Sequence, residues 1–324
     1  MGAEKIHSQE LLTPDRRWKV WGCQSHEQFL EKYFLPGKFY STVPEKIKEA
    51  YLIVERLIAY SYFYYPLTEE AESKLSRIFE MALRIRAQEL GIPTDKKIKT
   101  GKLIPENLSV LIEKLKKHSE IDQEWAEEWI EFKSLRNLFA HPLGPNYCGP
   151  INLLAIVPMI NVINSIFISA DWFKATRDRV NALQDRTKFY SEGVYVLTLS
   201  GCRYIIKRAR PILVSHDEKR SLWMMEPIGL KFPQTMDEYF LFNPFILRIS
   251  ELTNDEESLH GIDYQHNQKF IITHSNHPSD LKCTKDYFEQ MNTAEEQVRT
   301  VYYQNFYYHL NSERARFIYD EFWI

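Results

Sequence analysis

The apolar pattern of this chain changes period once, near residue 185, and that change limits the fold more than any other feature. After Pro44, the residues Ile47, Ala50, Tyr51, Val54, Leu57 and Ile58 recur at spacings of three and four, the mark of a helix with one buried face. The turn "YYPLTEE" follows, with Thr68 placed to cap a second helix. That helix runs through Ala71, Leu75, Ile78, Phe79, Ala82 and Leu83 and ends near Gly91 and Pro93. A short turn makes the two antiparallel. "PENLSVLIEKLKKHS" predicts a third helix opened by Pro105, "DQEWAEEWIEFKSLRNLFA" a fourth, and residues 151 to 173 a fifth.

Beyond residue 185 the runs "EGVYVLTLSG", "RYIIKRARPILVS", "YFLFNPFILRIS" and "KFIITH" are short, rich in β-branched and aromatic residues, and bounded by turn formers. They predict a small antiparallel sheet, and the last forty or so residues return to helical spacing. The expected fold class is therefore mainly α: an antiparallel helical bundle over 44–175, then a smaller α+β domain over 176–324. Residues 1–43, with Trp18 and Trp21, read as a lead-in packed onto the body.

A net charge of -3 leaves no chain-wide basic field, so contact with nucleic acid must come from a local patch. The 44% hydrophobic content is ample for two cores. Cys23, Cys148, Cys202 and Cys283 form no C-x-x-C pair, which fits a reducing, cytoplasmic setting. The start, "MGAEKIHSQELL", carries no apolar core of a secretory signal and no myristoylation pattern. "INLLAIVPMINVINSIFISA" is the longest apolar tract, but Pro158, Asn161, Asn164 and Ser165 interrupt it, so it reads as a buried helix rather than a membrane span.

Several common chemistries lack their starting residues. No G-x-G-x-x-G occurs, and Pro150 stands where a Walker lysine would follow Gly144 and Gly149. H-E-x-x-H and G-x-S-x-G are absent. His260, His266, His274 and His277 lie close in sequence with Cys283 beyond, but their spacing matches no zinc pattern, and they read as turn and strand-end residues. Arg203 with "KRAR" reads as a solvated strand face. The C-terminal aromatics Tyr302, Tyr303, Phe306, Tyr307 and Tyr308 fall at helical spacing and predict packing.

What remains is "SLRNLFAHP", residues 134–142. Its spacing alone is cheap, since Arg210 and His216 nearly reproduce it. Position on the helix says more. At about 100° per residue, Trp125, Trp129, Phe132 and Phe139 share one direction, and Arg136 falls about 20° from Trp125. An arginine in an apolar stripe needs a carboxylate, an anion, or an opening. His141 precedes Pro142 and is pushed out of the α region, to the helix end. Asn137, four residues earlier, is placed to brace it. A basic helix terminus that only complements the dipole accounts for the charge, but not for an arginine in the stripe.

Arg136, Asn137 and His141 in R-N-x-x-x-H, with the helix "AESKLSRIFEMALRIRAQELGI" and "GKLIPENLSVLIEKL" before it, resemble the HEPN superfamily over about residues 44–175. The resemblance implies a metal-independent endoribonuclease, with no cofactor, working as a homodimer whose two motifs face one another. His141 would be general acid or base at the ribose 2′-hydroxyl or the leaving 5′-oxygen. Arg136 would bind the scissile phosphate, and Asn137 would orient the histidine or the RNA. A carboxylate on the second helix would complete the site: Glu72, or else Glu80. Many such bacterial proteins are toxins or antiphage effectors held silent until triggered, with a regulatory partner or antitoxin, and residues 176–324 would then be the sensing or partner-binding part. A non-catalytic HEPN-like module that binds RNA or protein is the alternative.

Overall fold

A computed structural model describes residues 12–140, 153–187, 190, 193–238, 245–255 and 257–323. The chain forms two compact units, Met1–Phe173 with Trp323–Ile324, and Lys174–Phe322.

The first unit is helical. α1 (Arg17–Val20) and α2 (His26–Tyr33) precede α3 (Glu45–Tyr60) and α4 (Leu67–Glu89). A hairpin of β1 (Asp95–Lys97) and β2 (Leu103–Pro105) leads to α5 (Leu108–Lys116), α6 (Gln123–Ala140) and α7 (Ile156–Ile166); α8 (Ala170–Arg186) begins in this unit, and from Lys174 on it belongs to the second. α4 is the central helix, touching α3, α5, α6 and α7. Its buried residues Ala71, Leu75, Ile78, Phe79, Ala82 and Leu83 are those the spacing selects. The lead-in does pack: Trp18 is fully buried, donates its indole N–H to the Ser61 carbonyl at 2.7 Å, and meets the Phe29 ring at 4.6 Å.

Local chemistry moved three boundaries. Thr68 does not cap α4. Pro66, whose fixed φ suits a helix start, stands at the N-cap, and the Thr68 hydroxyl instead donates to the Tyr65 carbonyl at 3.0 Å. Pro105 closes strand β2 rather than opening α5, whose cap is Asn107, accepting from the Ser109 N–H at 2.9 Å. The segment expected as a fifth helix is two, α7 and α8, broken between Ile166 and Ala170. Ser169 restarts the chain by accepting from the Trp172 N–H.

The polar interruptions of the apolar tract are all satisfied inside this unit. Asn164 donates to the Lys38 and Ile160 carbonyls and accepts from the Tyr40 N–H at 2.7 Å. Asn161 accepts from the Trp323 indole at 2.6 Å, and Ser165 from the Trp129 indole at 2.9 Å. A buried amide or hydroxyl costs little once paired. Among the described residues no single helix is long and apolar enough to cross a membrane.

The second unit is a closed barrel, not the small sheet that the sequence suggests. β3 (Tyr195–Leu199), β4 (Cys202–Val214), β5 (Arg220–Pro227), β6 (Phe245–Asn254), β7 (Ser258–Asp263) and β8 (Gln268–His274) pair antiparallel in chain order, and β8 returns to β3. Closure leaves no free edge. Ser200 and Gly201, both at positive φ (51° and 78°), make the tight β3–β4 turn that a twisted hairpin requires. Tyr195, Leu197, Ile206, Trp223, Met225, Leu247, Ile249, Leu259, Phe270 and Ile272 fill the interior.

Strands β5 and β7 had no legible sequence pattern. β5 is buried on both faces, because Met224 turns outward onto Phe306 and Leu310, so alternation is lost. β7 is short, and its Gly261 lies so close to the Phe270 ring that a Cβ would meet it at 2.6 Å. Two helices, α9 (Pro278–Thr293) and α10 (Glu296–Glu321), cover the outside. α10 buries every fourth residue from Val298 through Tyr302 and Phe306 to Leu310, while Tyr303, Tyr307 and Tyr308 are exposed. The C-terminal aromatics thus pack only in part.

Candidate functional site

Two contacts set the register of α4 against α6. Arg86 pairs with Glu120, just before α6, at 2.9 Å, and the Phe79 and Phe132 rings lie 6.5 Å apart. Falling numbers on α4 therefore meet rising numbers on α6: the helices are antiparallel. About two turns back from Phe79 along α4 stands Glu72, and about two turns on from Phe132 along α6 stands Phe139. The Glu72 backbone is thus level with the last turns of α6, whose helix continues through Arg136 and Asn137 to Ala140. The side chains of Arg136 and Asn137, and the whole of His141, lie outside the described residues. Trp125 and Trp129 of the expected stripe are buried, and Phe132 is half-buried.

Glu72 is 1% exposed, and its Oε2 accepts no hydrogen bond. Burial, helped by the nearby Glu69 charge, pushes its carboxyl up from the usual 4.5 to about 8. It is therefore chiefly protonated at neutral pH. Its helix neighbours Ala71, Leu75 and Ser76 are all buried. A buried carboxyl oxygen left without a hydrogen-bond partner in a packed bundle is costly and marks a candidate site. Glu80 is differently employed. It pairs with Arg84 at 2.8 Å, and Arg84 also donates to the carbonyls of Thr94 and Glu106, tying the β1–β2 hairpin to α4.

The Glu72 carboxyl makes stability depend on pH. The folded chain holds this proton up to about pH 8, while the unfolded chain releases it near 4.5. The contribution is fully present below about pH 4.5 and is lost as pH rises through 8. Glu72→Gln removes that dependence. Urea melts should show the variant gaining on the parent by on the order of 3 kcal/mol between pH 5 and 8. A gap that does not change with pH would mean that Glu72 titrates normally.

The other residue clusters are occupied by structure. His260 Nε2 is 2.6 Å from Ser258 Oγ, His266 Nδ1 2.6 Å from Asp263 Oδ2, and His277 caps α9. His274 packs its ring against Tyr195 at 5.5 Å. Among the described residues no three His, Cys, Asp or Glu side chains are placed to hold a metal ion. In the basic cluster, Arg203 pairs with Asp280, Arg208 with Glu226 at 2.6 Å, and Lys207 lies over the Phe288 ring.

The second unit holds a cavity of about 860 Å³ at one end of the barrel, lined from α8, the β4–β5 hairpin and β6. Nothing in the sequence marks it. Its walls come from segments far apart in the chain, and the left-handed conformation of Glu218 and Glu251 on its rim belongs to residue types that rarely adopt it. Comparison with family models, with curated proteins and with solved structures finds no match to this chain.

Proposed function

We propose that this protein is a metal-independent endoribonuclease of the HEPN type, with Arg136, Asn137 and His141 as its catalytic residues. The observation that carries the reading is Glu72. It is a buried carboxyl without a hydrogen-bond partner at Oε2, and it is level with the end of α6 that bears the motif. A bundle built only for stability has no use for such a group. A polar site at the end of α6 does.

In the proposed reaction the ribose 2′-oxygen attacks the adjacent phosphorus and the P–O5′ bond breaks, leaving a 2′,3′-cyclic phosphate and a 5′-hydroxyl. His141 takes or gives the proton, a role that an imidazole can fill in either direction near pH 7. Arg136 neutralises charge that grows on the phosphoryl oxygens in the transition state. Asn137 holds the histidine or the RNA in line. The Glu72 carboxyl braces the arginine, and the approach of that cation would favour its ionised form.

A homodimer through the bundle belongs to this reading. Leu52, Ile53 and Tyr60 make an exposed apolar stripe on α3, which supports a second copy packing there. Action on cellular RNA, as a toxin or an antiphage effector under the control of a regulatory partner, would place the protein in the cytoplasm.

The test is cleavage of single-stranded RNA by the full chain in EDTA. The expected products end in 2′,3′-cyclic phosphate, and the same sequence as DNA or as 2′-O-methyl RNA should resist. Cleavage that stops in chelator, or that cuts 2′-O-methyl RNA equally, would contradict the mechanism. RNA retained without being cut would favour the non-catalytic binding module.

A further inference from the structure

The cavity at the barrel end is built from three elements that the fold fastens together. Asn254, at the end of β6, donates to the Arg186 carbonyl at 3.2 Å, joining β6 to the last turn of α8. Thr187 closes that helix by donating to the Leu183 carbonyl at 2.8 Å. Opposite, the β4–β5 hairpin is closed by the Ser215 N–H on the Arg220 carbonyl at 2.8 Å. Between these walls lie about 860 Å³, within the range of roughly 300–1,000 Å³ common for small-molecule sites.

The floor is apolar. Leu183, Val214 and Ile249 are buried core residues, and Leu252 packs beside them. The rim is polar and carries backbone strain at two points. Glu218 (φ 59°) and Glu251 (φ 52°) are non-glycine residues in the left-handed region, and Glu251 sits where the β6–β7 pairing loses register between Ser250 and Thr253. Bulges of this kind re-aim side chains and are common beside binding sites.

The charges lining the cavity do not cancel. Arg220 is taken up by Glu321, which it reaches at 2.9 Å. Glu218 is opposed by the Arg179 charge. That leaves Arg186 and Lys219 facing Glu251. Arg186 has no carboxylate partner among the described residues, and Lys219 reaches only Asp217, at 3.9 Å on an exposed surface. Ser221 adds a directed donor. It is 5% exposed and its Oγ accepts from the Trp223 indole at 2.9 Å, so its own hydroxyl proton is left for another acceptor.

We propose that this cavity binds a small organic anion with an apolar body, the body resting on Leu183, Val214, Ile249 and Leu252 and the anionic group meeting Arg186, Lys219 and the Ser221 hydroxyl. The site lies wholly within the second unit and does not depend on the nuclease reading. An apolar floor under a rim where Arg186 and Lys219 outnumber Glu251 selects against both a bare inorganic ion, which gains nothing from the floor, and a neutral hydrophobe, which gains nothing from the rim.

The test uses 8-anilinonaphthalene-1-sulfonate, an aromatic body with one sulfonate, and its neutral analogue N-phenyl-1-naphthylamine, each titrated by fluorescence into the full chain. One equivalent of the sulfonate should bind. The double variant Arg186→Glu/Lys219→Glu changes only exposed positions, so the fold is not at stake. It should weaken the sulfonate about tenfold and the neutral analogue less than twofold. Leu252→Trp, which crowds the apolar floor, should weaken both dyes by about fivefold or more. Absence of saturable sulfonate binding overturns the proposal, as does indifference of the sulfonate to either set of substitutions. Equal weakening of both dyes by charge reversal overturns the anionic assignment.

Discussion

His141→Ala and Arg136→Ala should each lower RNA cleavage by about a hundredfold to ten-thousandfold, the usual worth of a proton-transferring side chain or of a phosphate-stabilising donor. Arg136→Ala also removes the cation proposed to pair with the buried Glu72, so each variant is melted beside the parent, and loss of activity with an unchanged melting curve reports chemistry. The two losses should not add, because the residues act on one transition state. In the parent, the rate should pass through a bell-shaped pH profile, and His141→Ala should flatten the limb that the imidazole governs. Full cleavage by both variants would remove "SLRNLFAHP" from the reaction and leave it as a helix end.

The second large effect concerns stability. Arg248 of β6 is buried beneath α10, its guanidinium donating to Asp320 at 2.8 Å and to Glu313 at 3.3 Å. Burial alone would lower its pKa, but the Asp320 hydrogen bond and the charges of Glu313 and Asp320 outweigh it and hold the group above its ordinary value. The Arg220–Glu321 pair and the Tyr264 hydroxyl, which donates to Glu321 at 2.8 Å, continue the same contact. Arg248→Ala strands acceptors that stay partly dry, and should cost about 3 kcal/mol. Hydrogen exchange across Arg220–Pro227 and Phe245–Asn254 would read it locally. In a double-mutant cycle, Arg248→Ala with Asp320→Asn should show a coupling above about 1 kcal/mol. Additive losses would mean that the Arg248–Asp320 pair does not itself hold the helix.

Much of the first unit could be read directly. The three-and-four spacing of Ile47, Tyr51, Val54 and Ile58 matches the buried face of α3, because a helix packed on one side repeats its burial at that period. Trp125 and Trp129 were legible for the same reason. Thr68 and Pro105 were misread, because a cap depends on which residue already holds the right backbone angles, and Pro66 and Asn107 held them. Strand β5 escaped for the opposite reason to α3: with both faces covered, its burial has no period.

For the site, helix geometry and proline sterics lead to the expectation of an arginine in an apolar stripe and a histidine freed by Pro142; the Arg136 side chain and His141 lie outside the described residues. The chain alone puts Glu72 first and Glu80 second as the carboxylate on the second helix. The fold gives Glu80 to Arg84 and buries Glu72 without a partner at Oε2, which spacing does not foretell because pairing and solvent access depend on what neighbouring helices bring. Barrel closure and the cavity at its end were also decided in three dimensions. Local spacing specifies which face of an element is apolar, but not how many strands close on one another or which distant segments meet around a space.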